Sequence, residues 1–191
     1  MSASERSSYY AKQGSIFERI SEEALACLGW TVHRTGWSSD DADQLSSVVE
    51  SVSEAVGQPV YANWSSSVSS RAKEAGLDVV FFRKFGDSSL VAPVYLAQCA
   101  SGDDWDTKLH TPALSVWSKL IDFDAPPYKA FLMPHSLDAA TMRRVSVSVE
   151  GVVIDRYRLH DQMPRGWGSA GLKDDIRAFM SPVVSSLPKA Y

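Results

Sequence analysis

The chain has 191 residues, of which 45% are hydrophobic and 22% are charged, and its formal net charge is −4. Roughly 70% of the unfolded surface can be buried at this length, so one globular domain needs neither a disulfide nor a structural metal. The composition excludes a disordered or fibrous protein. The mild negative charge argues against a nucleic-acid footprint over the whole surface, although it leaves room for a local basic patch or a basic partner.

No segment of the sequence is typical of secretion or of a membrane span. Residues 1–13 are polar, and no apolar run approaches the ~20 residues that a membrane helix needs. Cys27 and Cys99 lie in apolar stretches without the spacing of a zinc site or a redox motif. We therefore expect a cytoplasmic protein without membrane association and with two buried free thiols.

Helices dominate the predicted elements of the first third of the chain. Residues 1–13 are predicted to form an N-terminal arm, and residues 14–28 an amphipathic helix that carries Glu18 at the edge of its apolar stripe. The segments that follow are predicted as a strand at 30–34, a helix that Asp40 or Asp41 caps and that runs to residue 56, an extended segment at 60–64 and a serine-rich turn at 65–70.

Two apolar strands are predicted next, at residues 77–84 and 90–100, with hairpin residues at 86–89 between them. Side chains alternate along a strand, so Gln98 shares a face with Leu96 and is polar at the end of a buried run. Antiparallel pairing through the hairpin places residue 78 opposite about residue 97. Asp78 is therefore expected beside Gln98.

The rest of the chain alternates helices and strands. The predicted segments are a helix at 105–121, a strand at 129–133, a short helix at 137–143, a strand at 151–159 and an amphipathic terminal helix from residue 172 that Pro182 interrupts. Residues 166–191 are predicted to be a tail and helix that pack on the core or on a partner. This order indicates an α/β fold with a central mixed sheet flanked by helices.

Asp78 is the most informative residue, because it lies inside an apolar run. An unpaired carboxylate loses several kcal/mol of hydration on burial, so a buried strand that contains one usually needs it for a metal or a proton. The carboxylate of Asp78 and the amide oxygen of Gln98 are hard oxygen ligands of the kind that Mg²⁺ takes. The pair therefore indicates a candidate metal site at one end of the sheet.

These residues resemble the PD-(D/E)xK nuclease superfamily, and most closely the Mrr-like restriction endonucleases with Gln in the second motif. The segments that carry the resemblance are Phe17-Glu18, Gly76-Leu77-Asp78-Val79-Val80, Gln98-Cys99-Ala100, residues 131–138 and residues 152–159. The resemblance implies a restriction-endonuclease-like core and a nuclease domain over residues 14–165. It further implies a DNA substrate, Mg²⁺ or Mn²⁺, and a role as the effector subunit of a bacterial restriction or anti-phage defence system with partner proteins.

The resemblance also assigns roles to residues. Asp78, Gln98 and the Cys99 main-chain carbonyl would hold the ion, and Glu18 would hold an outer-shell water. The family pattern has a lysine where this sequence has Ala100, and the nearest candidate is Lys108, whose long side chain could reach back to orient the attacking water.

Other interpretations stay open for each residue. Asp78 could pair with Arg71 or Lys73, Gln98 could satisfy backbone groups, and Glu18 and Lys108 could be solvated helix residues. The chain would then be a non-catalytic docking subunit of the same fold. A small-molecule α/β enzyme lacks support from a phosphate loop or a catalytic triad. A homo-oligomer is compatible with the sequence. The four histidines lack the spacing of metal ligands; they are His33, His110, His135 and His160. Three acids lie in the first turn of the next predicted helix, where the helix dipole favours them, and one of them could be a spare metal ligand; they are Asp103, Asp104 and Asp106.

Overall fold

The computed structural model describes residues 3–35, 42–62, 64, 76–85, 93–161 and 163–186. Its strands are β1 (Thr31–Arg34), β2 (Val79–Phe82), β3 (Val94–Cys99), β4 (Tyr128–Leu132) and β5 (Val152–Ile154). Its α-helices are α1 (Ala3–Cys27), α2 (Ala42–Val56), α3 (Leu114–Trp117), α4 (Ala139–Val149), α5 (Arg156–Asp161) and α6 (Ala170–Ser186), and a 3₁₀ turn covers Trp105–Lys108.

The five strands form one mixed sheet in the order β1-β2-β3-β4-β5. The first three strands are antiparallel neighbours, whereas β3, β4 and β5 run parallel. The start of β2 and the ends of the other four strands therefore lie along one edge, which we call the site edge. The end of β2 and the starts of the other strands lie along the opposite edge. The predicted α/β architecture with a mixed sheet between helices is confirmed.

Helices cover both faces of this sheet, as its nearly continuous apolar strands require. On one face α1 packs against β2, β3 and β4, and Phe17 and Leu25 contact the same core as Val79 and Phe81. On the other face α2 and α3 cover β2 and β3, and α4 covers β4 and β5. The Asp78 end of β2 thus lies at the rim of a three-layer core.

α1 begins at Ala3, earlier than the sequence pattern predicts, and includes most of the residues expected to form an arm. Its polar first half lies against α6, where the ring of Tyr9 stacks on that of Phe179 with centroids 4.8 Å apart. Arg19 and Asp175 form an ion pair between the same two helices. Tertiary packing therefore supports a helical segment whose own periodicity is weak.

The predicted helix over residues 105–121 is wrong. The chain instead forms the 3₁₀ turn, a cis Thr111–Pro112 peptide bond and the four-residue helix α3. Pro112 has no N–H to donate to the residue four before it, and its ring clashes with the carbonyl there, so a continuous helix does not form.

The predicted strand over residues 151–159 is also wrong beyond its first half. β5 ends at Ile154, and the Asp155 carboxylate accepts the Arg158 N–H at 3.0 Å, which starts α5. α4 is longer than expected, because Asp138 caps its start and it ends only where Glu150 takes a left-handed φ of 55°. Both corrections result from side-chain caps that apolar periodicity does not report.

Two further expectations need correction. Pro182 lies inside α6 and does not end it. About one turn of helix follows the proline, as far as Ser186. Cys27 is exposed near the end of α1, whereas Cys99 is buried as expected.

Several predictions concern residues outside the described ranges. These are the hairpin at 86–89, the capping by Asp40 or Asp41, the turn at 65–70 and the pairing of Asp78 with Arg71 or Lys73. The extended segment predicted at 60–64 is reduced to one bridge between Val60 and Ile121. Within the ranges that the structure describes, no helix has the length and apolarity of a membrane span.

Candidate functional site

Asp78 lies directly before β2 at the site edge. Val79 is opposite Ala97 in the β2–β3 ladder, and the Asp78 N–H donates to the Ala97 carbonyl at 3.0 Å. The register differs by one residue from the predicted one and places Asp78 across from Gln98. The predicted neighbourhood of Asp78 and Gln98 is therefore confirmed.

The two oxygens of the Asp78 carboxylate have different environments. Oδ2 accepts a hydrogen bond from the Gln98 side-chain Nε2 and another from the Cys99 backbone N–H at 2.6 Å. Among the described residues, none donates a hydrogen bond to Oδ1. Burial raises the pKa of Asp78 to about 6, against the opposing effects of the Cys99 N–H, Lys108 and Gln98. The site thus holds a carboxylate whose ionisation is costly and whose two oxygens are bound unequally by the described residues.

Glu18 brings a second carboxyl group to the same place from α1. Burial and the nearby charge of Asp78 raise the pKa of Glu18 to about 7, although Arg34 opposes the shift. The Arg34 guanidinium lies 4.0 Å from Glu18 and 3.2 Å from Glu22. Two acids with raised pKa therefore share one edge of the sheet, a pattern that is common at functional sites.

Gln98 connects this carboxylate to a neighbouring turn. Its side chain is only 8% exposed, and Oε1 accepts the Thr111 hydroxyl at 2.9 Å while Nε2 faces Asp78. Ligation of an ion by Oε1 would require the amide to be turned over. A Cβ on Gly76 would lie 2.8 Å from the Thr111 Cβ and 2.9 Å from the Gln98 Oε1, so glycine permits this close packing.

The Cys99 carbonyl belongs to the same cluster. A residue's N–H and C=O point to the same side of a β-strand, so the Cys99 carbonyl faces the side on which its N–H meets Asp78. The Gln98 Nε2 lies 3.4 Å from this carbonyl oxygen. Burial raises the pKa of the Cys99 thiol well above its usual value.

Lys108 is the last residue of the 3₁₀ turn and not a residue of a longer helix. Its Nζ lies 3.8 Å from the Asp104 carboxylate, and its side chain is 42% exposed. The same ammonium is near enough to lower the pKa of Asp78. Lys108 is therefore within electrostatic range of Asp78, while its direct partner is Asp104.

The turn that carries Lys108 is fixed to the sheet by two residues that the sequence analysis missed. The Thr111 N–H and hydroxyl lie 3.0 and 2.8 Å from the Lys108 carbonyl, so the single hydroxyl proton serves either that carbonyl or Gln98. Lys129, 8% exposed, donates from Nζ to the Leu109 carbonyl at 2.8 Å. The signals in the sequence were Pro112 inside a predicted helix and Lys129 inside an apolar strand.

The remaining candidates do not join the cluster. The His33 ring lies 2.9 Å from the Ser51 hydroxyl, away from Asp78, and Asp103 and Asp106 are exposed. Within the described residues, no group of three or more His, Cys, Asp or Glu side chains is placed to hold a metal ion. The candidate ligands are one carboxylate, one main-chain carbonyl and one amide.

Comparison with known proteins gives no relative from which a role could be transferred. No protein-family model, curated protein or solved structure matches the chain.

Proposed function

We propose that this protein is a metal-dependent nuclease that hydrolyses DNA phosphodiester bonds at the site edge. The observation that carries the proposal is the largely desolvated Asp78 carboxylate, whose Oδ2 is held by two N–H donors while no described donor reaches Oδ1. A buried carboxylate at a strand end is costly to maintain without a charged ligand. Glu18 and Lys108 supply a second acid and a cation at the same edge.

The donor set fits a hard divalent cation such as Mg²⁺ or Mn²⁺. Asp78 Oδ1 and the Cys99 carbonyl are oxygen ligands on one side of β3, and Mg²⁺ commonly takes few protein ligands and completes its shell with water and phosphate oxygens. Glu18 would hold one of those waters. The Gln98 oxygen would become a further ligand of the ion if the side-chain amide turned over. When bound, the ion supplies positive charge at the scissile phosphate and lowers the pKa of the attacking water.

The chain's own residues perform the remaining tasks. Gln98 and the Cys99 N–H hold the Asp78 carboxylate in one orientation through Oδ2. Lys108 orients the attacking water and offsets charge that develops on the phosphate, from a turn that Thr111 fixes to Gln98. Glu18, with its pKa near 7, can exchange a proton with water at neutral pH.

The arrangement of elements supports the PD-(D/E)xK interpretation of the core. α1 with Glu18, the antiparallel pair β2–β3 with Asp78 and Gln98, and the parallel strands β4 and β5 follow each other in the order that the resemblance implies. On this proposal the protein is the effector subunit of a bacterial restriction or anti-phage system in the cytoplasm. The net charge of −4 argues against a broad nucleic-acid footprint on this chain. Partner proteins or self-association would therefore provide target choice.

Plasmid cleavage with Mg²⁺ or Mn²⁺ tests the proposal. We expect the wild-type protein to nick or linearise the plasmid, EDTA to stop the reaction, and Asp78→Ala and Lys108→Ala to remove most of the activity. Asp104→Asn is the control for Lys108, because it removes the surface partner of the ammonium and leaves the charge of Lys108 in place. Lys119→Ala removes one exposed charge elsewhere. Cleavage that survives both Asp78→Ala and Lys108→Ala would exclude this assignment of the site.

A non-catalytic docking subunit of the same fold is the second candidate function. The observation that favours it is that polar groups of the site already have partners within the protein, since Gln98 donates to Asp78 and Lys108 pairs with Asp104. This interpretation predicts no cleavage with any divalent ion, alone or with neighbouring gene products. It also predicts that Mn²⁺ leaves the melting temperature unchanged in wild type and Asp78→Ala alike.

A further inference from the structure

The site edge continues past Asp78 to a surface at the end of β5. Cys99, Leu132 and Ile154 are aligned across the parallel strands β3, β4 and β5. Arg156 follows Ile154 by two residues and therefore projects beyond the same edge, three strands away from β2. Neither the metal cluster nor the core uses this residue.

Arg156 is exposed but held in place. Its backbone N–H donates to the His135 carbonyl at 3.1 Å, and its guanidinium Nη2 donates to the Ser136 hydroxyl at 3.2 Å. Both partners belong to the segment that follows β4. The neighbouring Tyr157 is 66% exposed, an unusual position for a large aromatic side chain. One cation and one ring are thus exposed at adjacent positions, and the cation is hydrogen-bonded to the segment after β4.

The charge of Arg156 is not neutralised by the described part of the protein. The ion pairs of the described residues involve other cations, and none of their carboxylates lies within 4 Å of the Arg156 guanidinium. The adjacent Asp155 is 3% exposed, and its carboxylate accepts the Arg158 N–H and faces the Leu137 N–H. An arginine with spare donors at a fixed position suits an external phosphate.

Further charges on the flanking helices have both signs. Arg143 and Arg144 are exposed on α4, and Arg158 on α5 donates to the Val153 carbonyl at 2.7 Å. The opposing acid nearest the start of α4 is Asp138, whose carboxylate caps that helix. The N-terminal end of the helix dipole offsets part of this negative charge.

The spacing along the edge matches a polynucleotide. Neighbouring strands lie ~4.8 Å apart, so three spacings separate β2 from β5 by about 14 Å. One strand of a DNA duplex advances about 3.4 Å per nucleotide along the helix axis and also winds around it, so a straight distance of about 14 Å spans fewer than four nucleotides. A DNA strand whose phosphate lies at Asp78 would therefore place a second phosphate near Arg156.

We propose that Arg156 and Tyr157 form a DNA-backbone contact a few nucleotides from the phosphate that is cut at Asp78. The proposal rests on the proposed nuclease function, because that function sets the substrate at Asp78. The Arg156 guanidinium would donate to a non-bridging phosphate oxygen, and Tyr157 would pack against the adjoining sugar or donate its hydroxyl to the next phosphate. Such contacts position the strand without reading its sequence.

Binding measured in EDTA separates this contact from catalysis. The full chain is titrated into a short fluorescent DNA duplex at a series of KCl concentrations, with wild type, Arg156→Gln, Arg156→Lys and Tyr157→Ala. Gln keeps a donor for Ser136 and removes the charge, whereas Lys keeps the charge. We expect Arg156→Gln to raise Kd by about tenfold and to reduce the slope of log K against log[salt] by about 1. Arg156→Lys should keep that slope.

Lys84→Gln is the matched control, because it removes one exposed positive charge at the opposite edge of the sheet. It should change Kd by less than about twofold, within the range of a screened distant charge. Melting temperatures confirm that each variant folds. An unchanged Kd and salt slope in Arg156→Gln, or equal effects of Arg156→Gln and Lys84→Gln, would overturn the proposal.

The two proposals can fail separately. If wild type binds DNA through Arg156 but never cleaves it, the contact stands and the nuclease assignment fails. If wild type cleaves DNA and Arg156→Gln binds normally, the nuclease assignment stands and the contact fails. Absence of any wild-type binding to the duplex overturns the contact.

Discussion

The two edges of the sheet differ in the side chains that the same strands place there, which are aromatic at the opposite edge and polar at the site edge. At the opposite edge, the ring of Trp30 packs against Phe81 at 5.2 Å, Phe81 stacks on Tyr95 at 4.7 Å, and Tyr95 meets Tyr128 at 5.3 Å. Arg83 adds a guanidinium 4.5 Å above the Trp30 ring. At the site edge, the corresponding strand ends carry Asp78 and Gln98 instead. Aromatic pairs of this kind stabilise a fold beyond the area that they bury.

The comparison shows that the aromatic row stabilises the fold, whereas the carboxyl groups at the site edge destabilise it when they are ionised. The side chains that form the aromatic row carry no charge, so packing their rings against each other favours folding. The site edge keeps two carboxyl groups whose pKa values burial raises to about 6 and about 7. A buried acid with a raised pKa opposes folding when it ionises. Substitutions at the site edge should therefore lower activity more than stability, and substitutions in the aromatic row should lower stability more than activity.

Asp78→Asn should have the largest effect on activity. The substitution keeps the shape of the side chain and removes the charge that would bind the ion, so the cleavage rate should fall by about a thousandfold, or ~4 kcal/mol. Stability at neutral pH should not fall with it, because the cost of a buried charge disappears. Plasmid cleavage and urea unfolding check the two expectations, and full cleavage by a folded Asp78→Asn protein would contradict the first.

Phe81→Ala should have the reverse profile. Phe81 is 2% exposed, and truncation of a buried phenylalanine costs about 3–5 kcal/mol through lost burial and the cavity left behind. The melting temperature should drop strongly, while cleavage measured well below it should be retained. Tyr128→Ala is the control at the same row, since Tyr128 is 57% exposed and its loss should cost under about 1 kcal/mol. Equal destabilisation by both variants would show that the row does not act as described.

Glu18→Gln should remove part of the pH dependence of stability. The pKa of Glu18 is raised from 4.5 to about 7, so the folded state holds this proton more tightly than the unfolded state does. Its contribution is fully present below pH 4.5 and is lost as the pH rises through about 7. Wild type should lose about 2 kcal/mol relative to Glu18→Gln over this range, after discounting for partial exposure. Urea unfolding at several pH values measures this difference, and parallel curves for the two proteins would contradict it.

Thr111→Val should have the smallest effect. It replaces the hydroxyl that contacts Gln98 with a methyl group of similar size, which costs about 1 kcal/mol and lets the Lys108 turn move. We expect a cleavage rate lower by about tenfold with an almost unchanged Kd for DNA, as for a positioning residue. Thr107→Val is the matched control, because its hydroxyl donates to the Asp104 carbonyl at 2.7 Å in the same turn and, among the described residues, to no group of the site. A rate unchanged in Thr111→Val would exclude this positioning role.

The sequence predicted the site edge better than it predicted the segments around it. Period-two alternation and the hairpin signal placed Asp78 beside Gln98 with an error of one residue in register. The helix expected over residues 105–121 failed, because Pro112 and the Thr111 contacts outweigh apolar periodicity there. Lys129 was overlooked although the argument used for Asp78, a charged group in an apolar strand, applies equally to it.

By itself, the sequence determined the α/β class, most of the sheet strands and the anomaly of Asp78, because apolar periodicity and the cost of burying charge are local properties. Only the tertiary structure decided which groups meet that carboxylate. The Gln98 amide, the Cys99 N–H and the Lys108 turn come from different segments, and their contacts depend on strand register and on a proline-broken connection. The same holds for Arg156, which joins the edge only because β3, β4 and β5 run parallel and in register.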